Sequence, residues 1–72
     1  MAIFHVKLNV SEKEKELALL LANGLTIPKI AKHLDINRRT YEVFVSDVKS
    51  KYSAKTLAEL VAIFLSNKFI KL

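Results

Sequence analysis

The sequence contains no cysteine, and this absence excludes two common ways of stabilising a small domain. A domain of 72 residues buries only about 60% of the surface that its unfolded chain exposes. Without cysteine it can form neither a disulfide bond nor a thiolate metal site. The two histidines, His5 and His33, are too few for a zinc site. We expect no metal and no cofactor, and oligomerisation remains as the further source of stability.

Chain-breaking residues and long apolar runs are also scarce. One glycine and one proline in 72 residues favour an all-α fold. The longest apolar stretch is the nine residues from Leu57 to Leu65 and contains Glu59, whereas a membrane-spanning helix needs about 20. Residues 1–10 carry charge and lack a signal-peptide cleavage site. We expect a soluble, cytoplasmic chain without a membrane partner.

No group of residues indicates an enzyme. Neither histidine has a nucleophile or a carboxylate at a spacing that suits catalysis. The hydroxyls of Ser11, Thr26 and Thr40 stand where helix-capping residues are expected. With Gly24 as the single glycine, no glycine-rich phosphate loop can form. We therefore predict no catalytic residue and no enzymatic activity.

Charge is unevenly distributed along the chain. Residues 1–26 carry three lysines and three glutamates, so the whole net charge of +5 lies in residues 27–72. Residues 29–55 alone hold seven lysines or arginines against three acids. A basic segment joined to a neutral one indicates an oriented interaction with a polyanion such as a nucleic acid. The alternative is a solvated basic surface.

Two helices are predicted in the first half of the chain. Ser11 and Glu14 have the spacing of a capping box at the start of the first helix, which ends before Gly24. Thr26 is expected to cap the second helix, with Pro28 in its first turn. Residues 3–8 alternate between apolar and polar, which permits a strand. Because no partner strand is evident, we predict that residues 1–9 form an extended arm and residues 10–72 the domain.

Two more helices follow in the second half. Asn37 is expected to cap the third, which should run from Arg38 to Lys51. Its apolar stripe contains Tyr41, Phe44, Val45, Val48 and Tyr52, and its other face is largely polar. The fourth helix should span residues 56–67, with its core stripe at residues 57, 60, 61 and 64. The tail at Phe69 and Ile70 should fold back on the core.

The fourth helix is apolar on nearly all sides, so it must bury more than one face. In so small a domain, the second face has a partner subunit to meet. We therefore predict a homodimer through the fourth helix. The predicted interface contains Ala58, Ala62, Ile63 and Leu65.

Two helices joined by a short connection, the second with a polar face beside basic residues, describe a helix-turn-helix. The major groove of DNA accepts one α-helix, and the third helix is the candidate. The second helix would cross the phosphate backbone, with its N-terminus near a phosphate. The predicted DNA-binding residues are Thr26, Lys29, Arg38, Arg39, Thr40, Glu42, Val43, Ser46, Lys49 and Lys51. We expect one of Lys49 and Lys51 not to contact phosphate.

The stretch from Val10 to Ile70, about 85% of the chain, resembles the LuxR-type (FixJ/NarL-like) DNA-binding domain without a gap. The resemblance is carried by residues spread over all four helices, among them Ser11, Glu14, Leu20, Leu21, Gly24, Leu25, Ile30, Ala31, Leu34, Ile36, Arg39, Thr40, Val45, Val48, Lys51 and the segment 55–61. It implies a four-helix domain whose third helix reads the major groove and whose fourth helix forms the dimer contact. It also implies either a short stand-alone regulator or the output domain of a larger one.

The sequence departs from the family pattern at several positions, which include two acids of the third helix. Glu42 stands where the family usually has lysine, and Asp47 where it often has asparagine. Both acids repel phosphate, although a glutamate can accept a hydrogen bond from cytosine. A second hypothesis is therefore a protein–protein interaction module that keeps the scaffold and binds DNA weakly or not at all. Its partner could be another transcription regulator.

Overall fold

The computed structural model describes residues 10–71, which form four α-helices. These are α1 (Glu12–Ala22), α2 (Ile27–His33), α3 (Arg38–Lys51) and α4 (Leu57–Ser66). No strand occurs within residues 10–71. The prediction of an all-α, four-helix domain is therefore confirmed, and the predicted bounds of α3 agree with the observed ones. The predicted N-terminal arm, residues 1–9, lies outside the described residues.

Side-chain caps begin α1 and α3 as the sequence predicts. Ser11 Oγ accepts a hydrogen bond from the Glu14 N–H, and the Glu14 carboxylate accepts one from the Ser11 N–H, both at 3.1 Å. Asn37 Oδ1 accepts a hydrogen bond from the Thr40 N–H at 2.8 Å. Thr26 occupies the N-cap position of α2, but its side chain makes no capping hydrogen bond. The prediction that its hydroxyl caps α2 is therefore wrong.

All four helices end in the same type of backbone turn. The residue after each C-cap has a positive φ: 77° at Gly24, 58° at Asp35, 56° at Ser53 and 59° at Lys68. In each turn the next residue's N–H bonds to a carbonyl five residues earlier, as between Ile36 and Ala31 at 2.9 Å. These are Schellman motifs, in which an apolar residue follows the turn and packs back on the helix. The turn at Asp35 fixes the direction in which α3 leaves α2.

The core lies between α1, α3 and α4, with α2 along one side. The five largest fully buried side chains are Leu17, Ile30, Val48, Leu60 and Phe64, and they come from all four helices. Helix α1 packs on α4, and α2 packs on α3 and α1. The predicted apolar stripe of α3 is buried except for Phe44, which is half-buried at the edge of the core. The outward face of α3 is therefore not needed for packing.

Aromatic contacts hold the C-terminal tail against the core. The rings of Tyr52 and Phe64 meet edge to face with centroids 4.9 Å apart, and Phe64 meets Phe69 in the same way at 5.4 Å. Ile70 is buried beside them. Edge-to-face pairs at these distances are favourable geometries for aromatic rings. The prediction that the tail folds back is confirmed.

Candidate nucleic-acid interface

The outward side of α3 presents a shallow groove that combines polar and apolar groups. The residues that line this groove are Arg39, Glu42, Val43, Ser46 and Asp47. Val43 is 53% exposed, and Leu19 on α1 is the other large apolar side chain left open within residues 10–71. Four of the ten predicted DNA-binding residues therefore lie together on one face of one helix.

The charges on this face are partly neutralised within α3. Arg38 Nε donates to Glu42 Oε2 at 3.3 Å, an i, i+4 pair on the helix surface. Arg39 itself makes no ion pair within residues 10–71. The guanidinium of Arg39 is therefore available to an external acceptor, and the charge of Glu42 is offset.

Three further predicted residues are exposed but do not line the groove. Thr26 and Lys29 are exposed at the start of α2, and Thr40 is exposed in the first turn of α3. The hydroxyl of Thr26 is not used in capping, and Lys29 forms no ion pair with any residue from 10 to 71. Both side chains can therefore donate hydrogen bonds to an anion.

The two lysines at the end of α3 have different surroundings. Lys49 is half-buried and has no carboxylate partner in the part of the chain that the structure describes. Lys51 Nζ lies 3.1 Å from each carboxylate oxygen of Glu14. The Tyr52 hydroxyl also donates to Glu14 Oε1, at 2.8 Å. The ammonium group of Lys51 is therefore bound by the protein's own chain.

Glu14 is the one buried charged side chain among the described residues, with 8% of its surface exposed. Burial raises the pKa of its carboxyl, but hydrogen bonds from Tyr52, from the Ser11 N–H and from Lys51 outweigh it, so the pKa lies below the ordinary value of 4.5. Burial and the bond to Glu14 raise the pKa of the Tyr52 hydroxyl. The carboxylate is therefore charged at neutral pH. Sequence reasoning identified Glu14 as a capping residue but missed this contact with residues 37 and 38 positions away.

The outward side of α4 is small and apolar. Ala58 and Ala62 are exposed and Leu65 is half-buried, and their i, i+4, i+7 spacing places them on one stripe. Ile63 is also half-buried, but it lies one turn after Glu59 on the other flank of the core stripe. The structure thus places three of the four predicted interface residues together and Ile63 apart from them.

Other kinds of site are not evident in the described part of the chain. No group of three or more histidine, cysteine or acidic side chains within residues 10–71 could hold a metal ion. The helices of that segment are too short and too polar to cross a bilayer.

A short helix packed on a following helix whose outer face is open defines a helix-turn-helix domain. Comparison with known proteins agrees with this class. Residues 8–64 match the family described as "Bacterial regulatory proteins, luxR family". Transcriptional regulatory protein FixJ of Rhizobium meliloti (strain 1021) is 38% identical over 60 residues, which cover 83% of this chain and 29% of FixJ. No solved structure matches the chain.

The chain therefore belongs to the luxR family of bacterial regulatory proteins, and its four helices form a LuxR-type helix-turn-helix domain, which supports a DNA-binding regulator. This confirms the family suggested by the sequence. The family is one of regulators and not of enzymes. The chain spans less than a third of the length of the relative that it matches.

Proposed function

We propose that the chain binds specific sites on double-stranded DNA as a homodimer and regulates transcription in the cytoplasm, with α3 in the major groove. The observation that carries the proposal is the open face of α3, on which Arg39, Val43 and Ser46 are exposed and the Arg39 guanidinium makes no ion pair within residues 10–71. The major groove is about 12 Å wide and accepts one helix. Membership of the luxR family supports the same function.

The exposed side chains on α3 suit the reading of base edges. Arginine donates two hydrogen bonds to guanine, and an apolar group contacts the methyl of thymine. We assign the first role to Arg39 and the second to Val43, and Ser46 can bond to more than one base. Glu42 can accept from cytosine only if it leaves Arg38, to which it is bound at 3.3 Å. Arg38 and Glu42 are therefore expected to contribute less to specificity.

Side chains outside the groove carry donors that suit contact with the phosphate backbone. These are Thr26 and Lys29 at the start of α2, Thr40 in the first turn of α3 and Lys49 near the end of α3. Such contacts orient the protein on the duplex without reading its sequence. We expect Lys29 and Lys49 to carry most of the electrostatic attraction, because they are cations without a carboxylate partner in residues 10–71.

Dimerisation through α4 would supply the additional base contacts that one recognition helix lacks. One helix offers few base contacts, each good bidentate pair contributing about 1–3 kcal/mol of discrimination. Two half-sites related by a two-fold axis double that number. The stripe of Ala58, Ala62 and Leu65 lets a second α4 approach closely, because two of its three side chains are methyl groups. A dimer through this stripe presents two copies of α3.

The test is a comparison of two alanine variants on a duplex recovered by selection from a random-sequence pool. Arg39→Ala removes the guanidinium on the open face of α3 and should weaken binding by about 1–3 kcal/mol and relax preference at one base position. Lys68→Ala removes the same charge at the end of α4 and should leave specificity unchanged. Equal affinities for Arg39→Ala and wild type would remove Arg39 from the interface.

The interaction-module hypothesis retains one observation in its favour. Two carboxylates, Glu42 and Asp47, are among the five residues that line the groove on α3. If selection yields no preferred duplex while another transcription regulator binds and is released by Ala62→Glu, the chain acts through protein contacts instead. Light scattering with and without duplex separates the two hypotheses.

A further inference from the structure

A compact polar cluster connects the start of α1 with the end of α3, away from the open face of α3. Its centre is the Glu14 carboxylate, which accepts hydrogen bonds from the Lys51 ammonium, the Tyr52 hydroxyl and the Ser11 N–H at 2.8 to 3.1 Å. Ser11 and Glu14 belong to the start of α1, and Lys51 and Tyr52 to the end of α3. The cluster therefore sets how the end of α3 sits against α1.

The cluster is more than a surface ion pair. The Glu14 side chain is 10% exposed and the Lys51 side chain 34% exposed. Lys51 Nζ also lies 5.3 Å from the centre of the Tyr52 ring, within the range of a cation–π contact. Tyr52 in turn packs edge-on against Phe64 of α4. Movement of Lys51 would therefore disturb the contacts of α3 with both α1 and α4.

A phosphate contact by Lys51 would compete with these bonds. For the ammonium to reach a phosphate, it would have to leave a carboxylate that is almost wholly buried and charged at neutral pH. A buried charge left without its partner is strongly unfavourable. Lys49, two residues earlier, faces no such competition within residues 10–71.

We infer that Lys51 is a positioning residue, which supports DNA binding through Glu14 by fixing the orientation of α3 and does not itself neutralise a phosphate. The inference rests on the proposed function. It assigns different roles to the two lysines at the end of α3. Lys49 contacts the DNA backbone, whereas Lys51 fixes the orientation of α3.

Salt dependence separates the two roles, because each neutralised phosphate contributes about −0.9 to the slope of log affinity against log salt concentration. The variants are Lys51→Met and Lys49→Met, which remove one charge each and keep most of the aliphatic chain. Lys68→Met is the control for the change in net charge. Affinities for the selected duplex are measured between low and moderate salt, at a temperature at which circular dichroism shows every variant fully folded.

We expect Lys51→Met to bind roughly tenfold more weakly with the slope of the wild type, and Lys49→Met to lose about 1.8 from the slope, because a dimer loses one phosphate contact in each subunit. Lys51→Arg should restore affinity, since its guanidinium can bond to both oxygens of Glu14. In the amide NMR spectrum without DNA, Lys51→Met should shift the resonances of Ser11 and Glu14, and Lys49→Met should not. Loss of stability alone would leave the affinity of the folded protein unchanged.

Two results would overturn the inference about Lys51 and leave the proposed function standing. One is a loss of about 1.8 from the slope in Lys51→Met, which would make Lys51 a phosphate contact in each subunit. The other is a Lys51→Met protein whose affinity and slope both equal those of the wild type, which would limit the cluster to stability. A wild-type protein that binds no duplex would overturn the proposed function first, and the inference with it.

Discussion

Glu14 shows how one residue can serve both local and long-range structure. Its carboxylate completes the capping box of α1 and also binds Lys51 and Tyr52 at the end of α3. Its pKa is lowered because these hydrogen bonds outweigh burial. A carboxyl whose pKa is lower in the folded state stabilises the fold at pH above its unfolded pKa. That stabilisation is lost as the pH falls through the folded value.

Glu14→Gln should therefore remove a pH-dependent part of the stability. Glutamine keeps the shape and can still accept from Ser11, but it loses the charge that binds Lys51. We expect a loss of about 1–2 kcal/mol in the free energy of unfolding at pH 7. The difference from wild type should shrink as the pH falls from the ordinary pKa of 4.5 through the lowered pKa of the folded carboxyl, because the carboxylate is protonated over that range. Urea denaturation at a series of pH values measures the difference in free energy of unfolding between the two proteins. A difference that stays constant down to the lowest pH at which both fold would contradict the prediction.

Tyr41, in contrast to Glu14, carries a buried polar group that makes no hydrogen bond among the described residues. Its ring is buried with 3% exposed, and its hydroxyl has no hydrogen-bond partner among the described residues. Burial raises its pKa. A buried hydroxyl without a partner destabilises a fold.

Tyr41→Phe should raise the free energy of unfolding by about 1 kcal/mol, because phenylalanine fills the same space without the hydroxyl. Tyr52→Phe is the matched control. It removes a hydroxyl that donates to Glu14 and should lower stability. Thermal melts of the two variants should move in opposite directions, and a lower melting temperature for Tyr41→Phe would show that its hydroxyl has a favourable interaction.

Residue-scale features were predictable where the signal is local. The Ser11–Glu14 capping box and the Asn37 cap depend on spacings of three residues, so the sequence contains them directly. The contact between Glu14 and Lys51 spans 37 residues and is created by the packing of α3 on α1, so no pattern in a single sequence indicates it.

At the scale of elements, helical periodicity identified the faces of α3 and α4. The buried stripe of α3 and its open face agree with prediction because a 3.6-residue period separates them clearly. Helix α4 was harder to interpret, since apolar residues occur all round it. The structure divides them: Ala58 and Ala62 are exposed, Leu65 is half-buried, and Ile63 lies on the other flank. Periodicity indicated that a second apolar face exists but not which residues share it.

The predicted dimer interface is the stripe of Ala58, Ala62 and Leu65 on α4, and the variant Ala62→Glu tests this prediction. Ala62 is exposed, so a glutamate there should keep the fold, whereas Leu65 also packs against the core and its replacement would affect stability as well. We expect a folded monomer for Ala62→Glu at concentrations where the wild type is a dimer. Leu19→Glu places the same charge on an exposed apolar position of α1 and should leave the dimer intact. Light scattering that shows Ala62→Glu still dimeric would place the interface elsewhere.

At the scale of the whole molecule, the fold was predictable and the distribution of charge only partly so. Caps, periodicity and the lack of breakers define four helices, and the turn at Asp35 gives α2 and α3 their relation. Sequence alone counts seven cations in residues 29–55. The structure shows that Lys51 is bound by Glu14 and Arg38 by Glu42, so fewer of them are available to an external anion. The count of seven cations therefore overstates the number that can bind an external anion.

The measurement that tests the central claim most directly is the salt dependence of wild-type binding to a selected duplex. With Lys29 and Lys49 of each subunit on phosphates, a dimer should show a slope of about −3.6 in log affinity against log salt concentration. A slope near zero, or equal affinity for every duplex at all salt concentrations, would contradict the insertion of α3 into the major groove by a homodimer.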